Sequence, residues 1–198
     1  KVFDDDKKLL PCPKEVNTAK SEESIYEIFT QRAINNKQKI AISDCYGVWS
    51  YETLELLSNK VAVLLNEKNI REKDVVAVYT ERCGAISCAL LGIMKAGAAF
   101  MMMDSEYPSS RLIEQIEQVK PKAFIHIKNG LPLPSEIEEA LNKVECHVKI
   151  NMPNSPDSNK WEELANYNVE HSWHKWSPDD LAYIAFTSGS TGKPQGIK

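Results

Sequence analysis

The residues best suited to chemistry lie at the end of the chain, where the apolar run Leu181 to Phe186 passes into Thr187-Ser188-Gly189-Ser190-Thr191-Gly192-Lys193-Pro194-Gln195-Gly196. This stretch carries four hydroxyls, a lysine and closely spaced glycines within one short turn. Glycine lets a backbone approach an anion and visit positive φ, while serine and threonine add uncharged donors. That combination suits a polyphosphate. The spacing is nevertheless not that of a Walker-type loop, G-x-x-x-x-G-K-[ST]. Its first glycine would fall on Thr187 and its closing hydroxyl on Pro194. Pro194 also pushes Lys193 out of the helical region, so no helix is expected to start there.

Residues 181–196 resemble the third core motif of the adenylate-forming enzymes, LAYxxYTSG(S/T)TGxPKG, which acyl-CoA ligases, luciferases and the adenylation domains of nonribosomal peptide synthetases share. Two upstream segments agree in order. Trp49-Ser50-Tyr51-Glu52-Thr53-Leu54 resembles the first motif, L(T/S)YxEL. Met94-Lys95-Ala96-Gly97-Ala98-Ala99-Phe100, with Asp104 and Tyr107-Pro108 beyond it, resembles the second, LKAGxAYVPLDPxYP. These two favour the peptide-synthetase branch. The resemblance runs from about residue 22 to the end of the chain. It departs from the pattern where Met102 and Ser105 stand in place of prolines, and where Gln195 stands in place of a lysine.

The resemblance implies ATP binding with Mg2+, attack of a substrate carboxylate on the α-phosphate, release of pyrophosphate and formation of an acyl-adenylate. Such a step needs the triphosphate held in line and its developing charge met by donors. Thr187, Ser188, Ser190 and Thr191, with the backbone of Gly189 and Gly192, are the candidates for gripping the β- and γ-phosphates, and Lys193 adds a positive charge. Gln195 can still donate hydrogen bonds but lacks the charge-assisted component, so it is expected to weaken catalysis without abolishing it. In this family the residues that pack on adenine, bind ribose, anchor the substrate amine and supply the lysine of the mobile C-terminal domain all come later. No catalytic residue and no metal ligand is therefore assigned. The expected partners are ATP, a carboxylic acid (an amino acid by the second motif), the C-terminal remainder of the adenylation domain, and the condensation and carrier-protein domains of the parent. Three readings stand: part of an amino-acid-activating domain, inactive by itself; part of an acyl- or aryl-acid ligase; or a non-catalytic remnant serving as a scaffold.

The composition fits an ordinary globular protein: 198 residues, 42% hydrophobic and 26% charged. A net charge of −4 argues against nucleic-acid or anionic-membrane partners. The five cysteines (Cys12, Cys45, Cys83, Cys88, Cys146) form no CxxC pair, which favours free thiols and a cytoplasmic location. The chain begins with Lys1 rather than Met, as expected of a piece of something longer. Residues 1–20, with the cluster Asp4 to Lys8 and Pro11-Cys12-Pro13, read as a linker from an upstream domain. Residues 21–198 read as the N-terminal portion of an adenylation domain.

A regular set of elements is expected to position the loop. Ser21 caps a helix with Ile25, Ile28, Phe29 and Ala33 on its apolar face, and a hairpin turns at Asp44 to Gly47. Ser50 caps a long helix whose face is Leu54, Leu57, Val61, Leu64 and Leu65. Strands at 75–79, 98–103, 123–127 and 147–150 alternate with helices at 83–95, 111–119 and 135–143. Gly97 closes the first of these helices, Ser109 or Ser110 caps the second, and Cys83 and Cys88 lie within the first as inert thiols. This rhythm predicts an α/β fold with a doubly wound, mainly parallel sheet and flanking helices. The methionines at 94 and 101–103 read as core. His171 and His174 have no partners at metal-ligand spacing, and Trp173 and Trp176 read as pins holding residues 151–180 to the sheet, with a short helix near 161–167. The strand at 181–186 then delivers the loop to the carboxyl edge of the sheet, where ligands bind in open α/β folds.

Overall fold

A computed structural model describes residues 24–128, 132–161, 173–177, 179–188 and 194–197. Helix α1 (Ile25–Asn35) precedes a hairpin of β1 (Ile40–Asp44) and β2 (Gly47–Ser50) and the long helix α2 (Tyr51–Glu67). Then come β3 (Val75–Thr80), α3 (Ala85–Lys95), β4 (Ala99–Asp104), α4 (Ser109–Val119), β5 (Ala123–Lys128), α5 (Ser135–Lys143) and β6 (Val148–Pro153). A hairpin of β7 (Tyr183–Ser188) and β8 (Pro194–Ile197) follows. The sheet order is β6-β5-β3-β4-β7-β8, parallel throughout except for the β7–β8 pair.

That order makes the expected α/β fold doubly wound. The chain steps from β3 to β4 in one direction, then jumps back past β3 to reach β5 and β6. Each face of the sheet consequently buries its own core. Val76, Val78, Ile125 and Ile150 pack with Leu57, Val61 and Leu65 of α2 and Ile93 of α3. Ala77, Met101, Met103 and Phe124 pack on the other face with Leu112 and Ile116 of α4 and Ile137 and Leu141 of α5. Alternation along β4 divides its methionines: Met101 and Met103 are buried, while Met102 is half-buried on the opposite face. The loop after β3 and the loop after β4 diverge, leaving a crevice at the carboxyl end of the sheet.

Local chemistry explains most boundaries and corrects several. The N-cap of α1 is Ser24, not Ser21. Its side chain accepts from the Glu27 N–H while the Glu27 carboxylate takes the Ser24 N–H, a reciprocal capping box. Ser21 itself lies outside the described residues. The buried positions of α1 are Tyr26 and Ala33, whereas Ile25 and Ile28 are exposed, because the helix packs through an aromatic rather than through its isoleucines. Ser50 caps α2 as expected, and its five apolar positions are all buried. Helix α3 ends in a Schellman motif: Gly97, at φ +81°, donates to Met94 O and Ala98 donates to Ile93 O. Helix α4 begins earlier than expected, with Pro108 at the cap and Ser109 and Ser110 already inside, since proline presets φ for helix entry. Cys83 lies before α3, not within it. The helix expected near 161–167 falls on residues outside those described, apart from Trp161, which is buried after a short 3-10 turn at Ser158–Lys160.

The segment carrying Trp173 and Trp176 is pinned to helix α3 rather than to the sheet. His174 N–H donates to Lys95 O at 3.2 Å, and Trp176 Nε1 donates to Met94 O at 2.8 Å. Both acceptors are carbonyls of the last turn of α3, which helix geometry leaves short of partners. Tyr26 of α1 donates to His174 O at 2.6 Å, and the His174 ring occupies the space that any side chain at Gly97 would fill. Among the described residues, no helix is long and apolar enough to cross a membrane.

Candidate functional site

The carboxyl edge of the sheet gathers residues from three strands and two helices, α3 contributing Ile86. Strands β4 and β7 pair only at Phe100 with Tyr183 and Met101 with Ile184, where the Phe100 and Tyr183 rings stack at 5.7 Å. Beyond that point β7 pairs with β8 instead, and β8 lies against α4. The parting strands open a cleft of about 380 Å³. Thr80, Glu81 and Arg82 from the end of β3 line it, as do Phe100, Met102 and Asp104 of β4. Tyr107, Arg111 and Gln115 form the α4 side, and β7 closes it through Tyr183 to Phe186.

The turn at the floor of the cleft is built by Asp104, whose carboxylate accepts from Glu106 N–H at 3.0 Å. Ser105 N–H donates to Thr80 O at 3.0 Å and extends the β3–β4 ladder by one residue. A proline at that position, as in the family pattern, has no N–H to donate, so Ser105 gives this chain an additional tie between the two strands. Glu81 is held by the Tyr46 hydroxyl, and that hydrogen bond pushes the phenol up to about 12. The Arg111 guanidinium lies 4.4 Å from the centre of the Tyr107 ring. Arg111 Nε and Gln115 Oε1 are both buried without a hydrogen-bond partner among the described residues.

Of the residues expected to grip phosphate, Thr187 and Ser188 end β7, opposite Gln195 and Pro194 of β8. Gly189, Ser190, Thr191, Gly192 and Lys193 lie outside the described residues. The pairing of Ser188 with Pro194 brings the two ends of that segment together at the carboxyl end of β7. Gln195, which stands where the family pattern has lysine, is at the register position of Thr187.

Sequence reasoning did not single out Arg111 and Gln115. One signal was available. Leu112, Gln115 and Ile116 follow helical spacing on the face of α4 that is buried, so a glutamine interrupts an otherwise apolar stripe. Beyond β3, His126 of β5 packs edge-on against Tyr79 at 5.5 Å, and burial pushes its imidazole below the usual histidine value.

This doubly wound fold agrees with the family that the motifs resemble. The family model described as "AMP-binding enzyme" matches residues 29–198, and the chain belongs to that family. The chain is 31% identical over 96% of its length to a dimodular nonribosomal peptide synthase of Bacillus subtilis (strain 168). It is 34% identical over 88% of its length to a plipastatin synthase polypeptide of the same organism. It spans only 8% and 6% of those two relatives. Solved structures share the fold at lower identity. ATP-bound MatB from Rhodopseudomonas palustris superposes with a TM-score of 0.71 at 23% identity, over 86% of this chain and 33% of MatB. The N-terminal subdomain of Klebsiella oxytoca NpsA, in complex with 3-hydroxybenzoyl-AMSN, gives 0.68 at 20% identity, over 88% and 40% of the two chains. The chain is thus part of an adenylate-forming domain of the kind found in peptide synthetases and their relatives.

Proposed function

We propose that this chain supplies the phosphate-gripping part of an amino-acid-activating domain in a nonribosomal peptide synthetase, with residues 1–20 as a linker and residues 21–198 as the beginning of that domain. The observation that carries the reading is the Ser188–Pro194 pairing, which brings the residues flanking 189–193 together at the carboxyl end of β7. The hydroxyls of Thr187, Ser188, Ser190 and Thr191, the backbone N–H groups of Gly189 and Gly192, and the Lys193 ammonium form a donor set matched to the β- and γ-phosphates of ATP. Magnesium bound to the triphosphate neutralises part of its charge. The loop holds the chain of phosphates so that a carboxylate can approach the α-phosphorus in line, and its donors meet the negative charge that develops on the departing pyrophosphate. The acid is an amino acid on this reading, because relatives at 31% and 34% identity are peptide synthetases. The residues that select it, and the condensation and carrier domains that would use the product, belong to the remainder of the parent protein.

The test is amino-acid-dependent ATP–pyrophosphate exchange in the longest natural polypeptide that carries these residues, with and without Ser190→Ala and Thr191→Ala together. Exchange stimulated by a single amino acid, and lowered roughly a hundredfold by the double substitution, is the expected result. Exchange that the substitutions leave unchanged removes the loop from the mechanism. Absence of exchange with any carboxylic acid, together with no ATP binding, replaces the reading by a scaffold role.

A further inference from the structure

Strand β7 has a short hold on the sheet. It pairs with β4 at two residues, Phe100 with Tyr183 and Met101 with Ile184, and Phe100 N–H donates to Ala182 O at 3.1 Å. On its other side β8 belongs to the same hairpin and moves with it. So short a ladder specifies register weakly, and a slip of one residue would carry Thr187 and Ser188 about 3.3 Å along the strand. A second anchor lies just upstream. His174 Nε2 and Asp180 Oδ2 are 3.0 Å apart, and the same carboxylate oxygen accepts from Ser177 N–H at 2.7 Å. These bonds close residues 174–180 into a clasp that ends three residues before β7. The clasp is seated where β4 begins. A Cβ on Gly97, two residues ahead of β4, would lie 2.7 Å from His174 Cγ, so the ring rests directly on that backbone. The bonds from His174 N–H to Lys95 O and from Trp176 Nε1 to Met94 O fasten it to the turn of α3 that leads into β4. Both strands therefore start from one fixed point.

We propose that His174 is a positioning residue: by joining Asp180 to the Gly97 turn it sets the register of β7 on β4, and through β7 the place of Thr187 and Ser188. The His174 ring touches no residue of the 187–193 segment; it acts through the strand. A displacement of about 1 Å in groups that orient a substrate can cost about a hundredfold in rate, so a loosened strand is felt at its far end. The consequence for ATP rests on residues 187–193 gripping phosphate, whereas the register does not.

The test compares His174→Ala, which opens the clasp, with His174→Gln, whose amide can still donate to Asp180, in the longest natural polypeptide that carries these residues. Two quantities are read: hydrogen exchange of peptides covering β7, with β3 as the internal control, and the separate KM values of ATP and of the acid in ATP–pyrophosphate exchange. In His174→Ala, β7 is expected to exchange about tenfold faster while β3 is unchanged. The KM for ATP is expected to rise about tenfold with that of the acid unaltered, and His174→Gln to bring both readouts back to within about threefold of the parent. A merely structural role lowers the amount of active protein, and so kcat, and leaves both KM values where they were. The proposal is overturned if β7 exchanges no faster in His174→Ala, if β3 accelerates equally, or if kcat falls with both KM values unchanged. Absence of pyrophosphate exchange in the unsubstituted protein defeats the phosphate reading of the loop instead, and the β7 peptides then decide the register by themselves.

Discussion

Two regions of this molecule are built on opposite principles. Where α2 crosses α3 at Gly92 and Lys95, the helices touch and the buried charge is paired. A Cβ on Gly92 would lie 2.6 Å from Val61 Cβ and 2.8 Å from Ser58 O, so the helices meet without space for a methyl group. Lys95 is buried in that joint, with its ammonium bonded to Glu55 at 2.9 Å, Ser58 at 2.9 Å and Asn59 at 2.6 Å. All three of its donors are used. At the carboxyl edge, by contrast, β4 and β7 part after two paired residues, and Arg111 Nε and Gln115 Oε1 are buried without a hydrogen-bond partner among the described residues. The first region spends its polar groups on holding helices together. Substitutions should therefore be strongly destabilising in the joint and mild in the cleft, and that contrast can be measured.

The largest effect is expected at Gly92. Gly92→Val forces α2 and α3 apart against backbone as well as side chain, and should cost about 3 kcal/mol, the upper part of the usual range for overpacking. Urea unfolding of the 198-residue chain checks it, and a loss below about 1 kcal/mol would show that the joint can open. Glu55→Gln comes next. It leaves the buried ammonium without its countercharge, and a cost of about 2 kcal/mol is expected because Glu55 is itself partly solvated.

The same pair carries a pH dependence. Burial holds the Lys95 ammonium below its ordinary value, and Glu55 opposes that shift. Between the lowered folded value and the unfolded value of 10.5, the unfolded chain binds more protons than the folded one. The cost of burying the charge is thus present in full below the folded value and is relieved as pH rises toward 10.5. Stability should rise with pH in that window, and in Glu55→Gln the rise should begin at lower pH. A Lys95→Met chain should lack it. Denaturation midpoints at stepped pH values decide between these outcomes.

Gln115→Met sharpens the other side of the comparison. With its carbonyl oxygen unpartnered, replacement by an apolar chain of similar size should change stability by no more than about 0.5 kcal/mol, in either direction. A loss as large as that at Glu55 would mean that the cleft is built like the joint. The smallest effect is expected at Asp180. Its carboxyl is held below the ordinary value by the Ser177 backbone N–H first and by His174 second. That contribution is present above the unfolded value of 3.8 and is lost as pH falls through the depressed folded value. Asp180→Asn should flatten the acid dependence of the Ser177 and His174 amide signals, with its small loss of stability seen at neutral pH and vanishing in acid.

Much of this architecture is legible in the residues alone, for a physical reason that differs from element to element. The five apolar positions of α2 repeat at helical spacing behind a capping serine, and burial follows directly from that period. Gly97 announces the end of α3, since only a residue tolerant of positive φ closes a Schellman motif cheaply. The short apolar runs of β3 and β5 suit strands covered on both faces. Where expectation and structure differ, competing chemistry of similar strength decides the outcome. Ser24 rather than Ser21 caps α1 because Glu27 is placed to complete the reciprocal bond. Pro108 displaces two serines as the cap of α4 by presetting the backbone. The isoleucines of α1 face outward because Tyr26 can both pack and donate to His174 O, a partner 148 residues away.

Periods, caps and the glycine-rich hairpin follow from the order of the residues, because they depend on neighbours within a few positions of one another. Fold class and family follow from them in turn. Membership of the carboxyl edge is different, since it is settled by how distant strands are brought together. The jump of the chain back past β3 sets that crevice, and no local spacing encodes it. The parting of β4 from β7 after two paired residues is likewise a matter of how strands some 80 residues apart in sequence meet. Arg111 and Gln115 look like ordinary helix residues in the sequence, and only the packing of α4 at this edge leaves Arg111 Nε and Gln115 Oε1 buried.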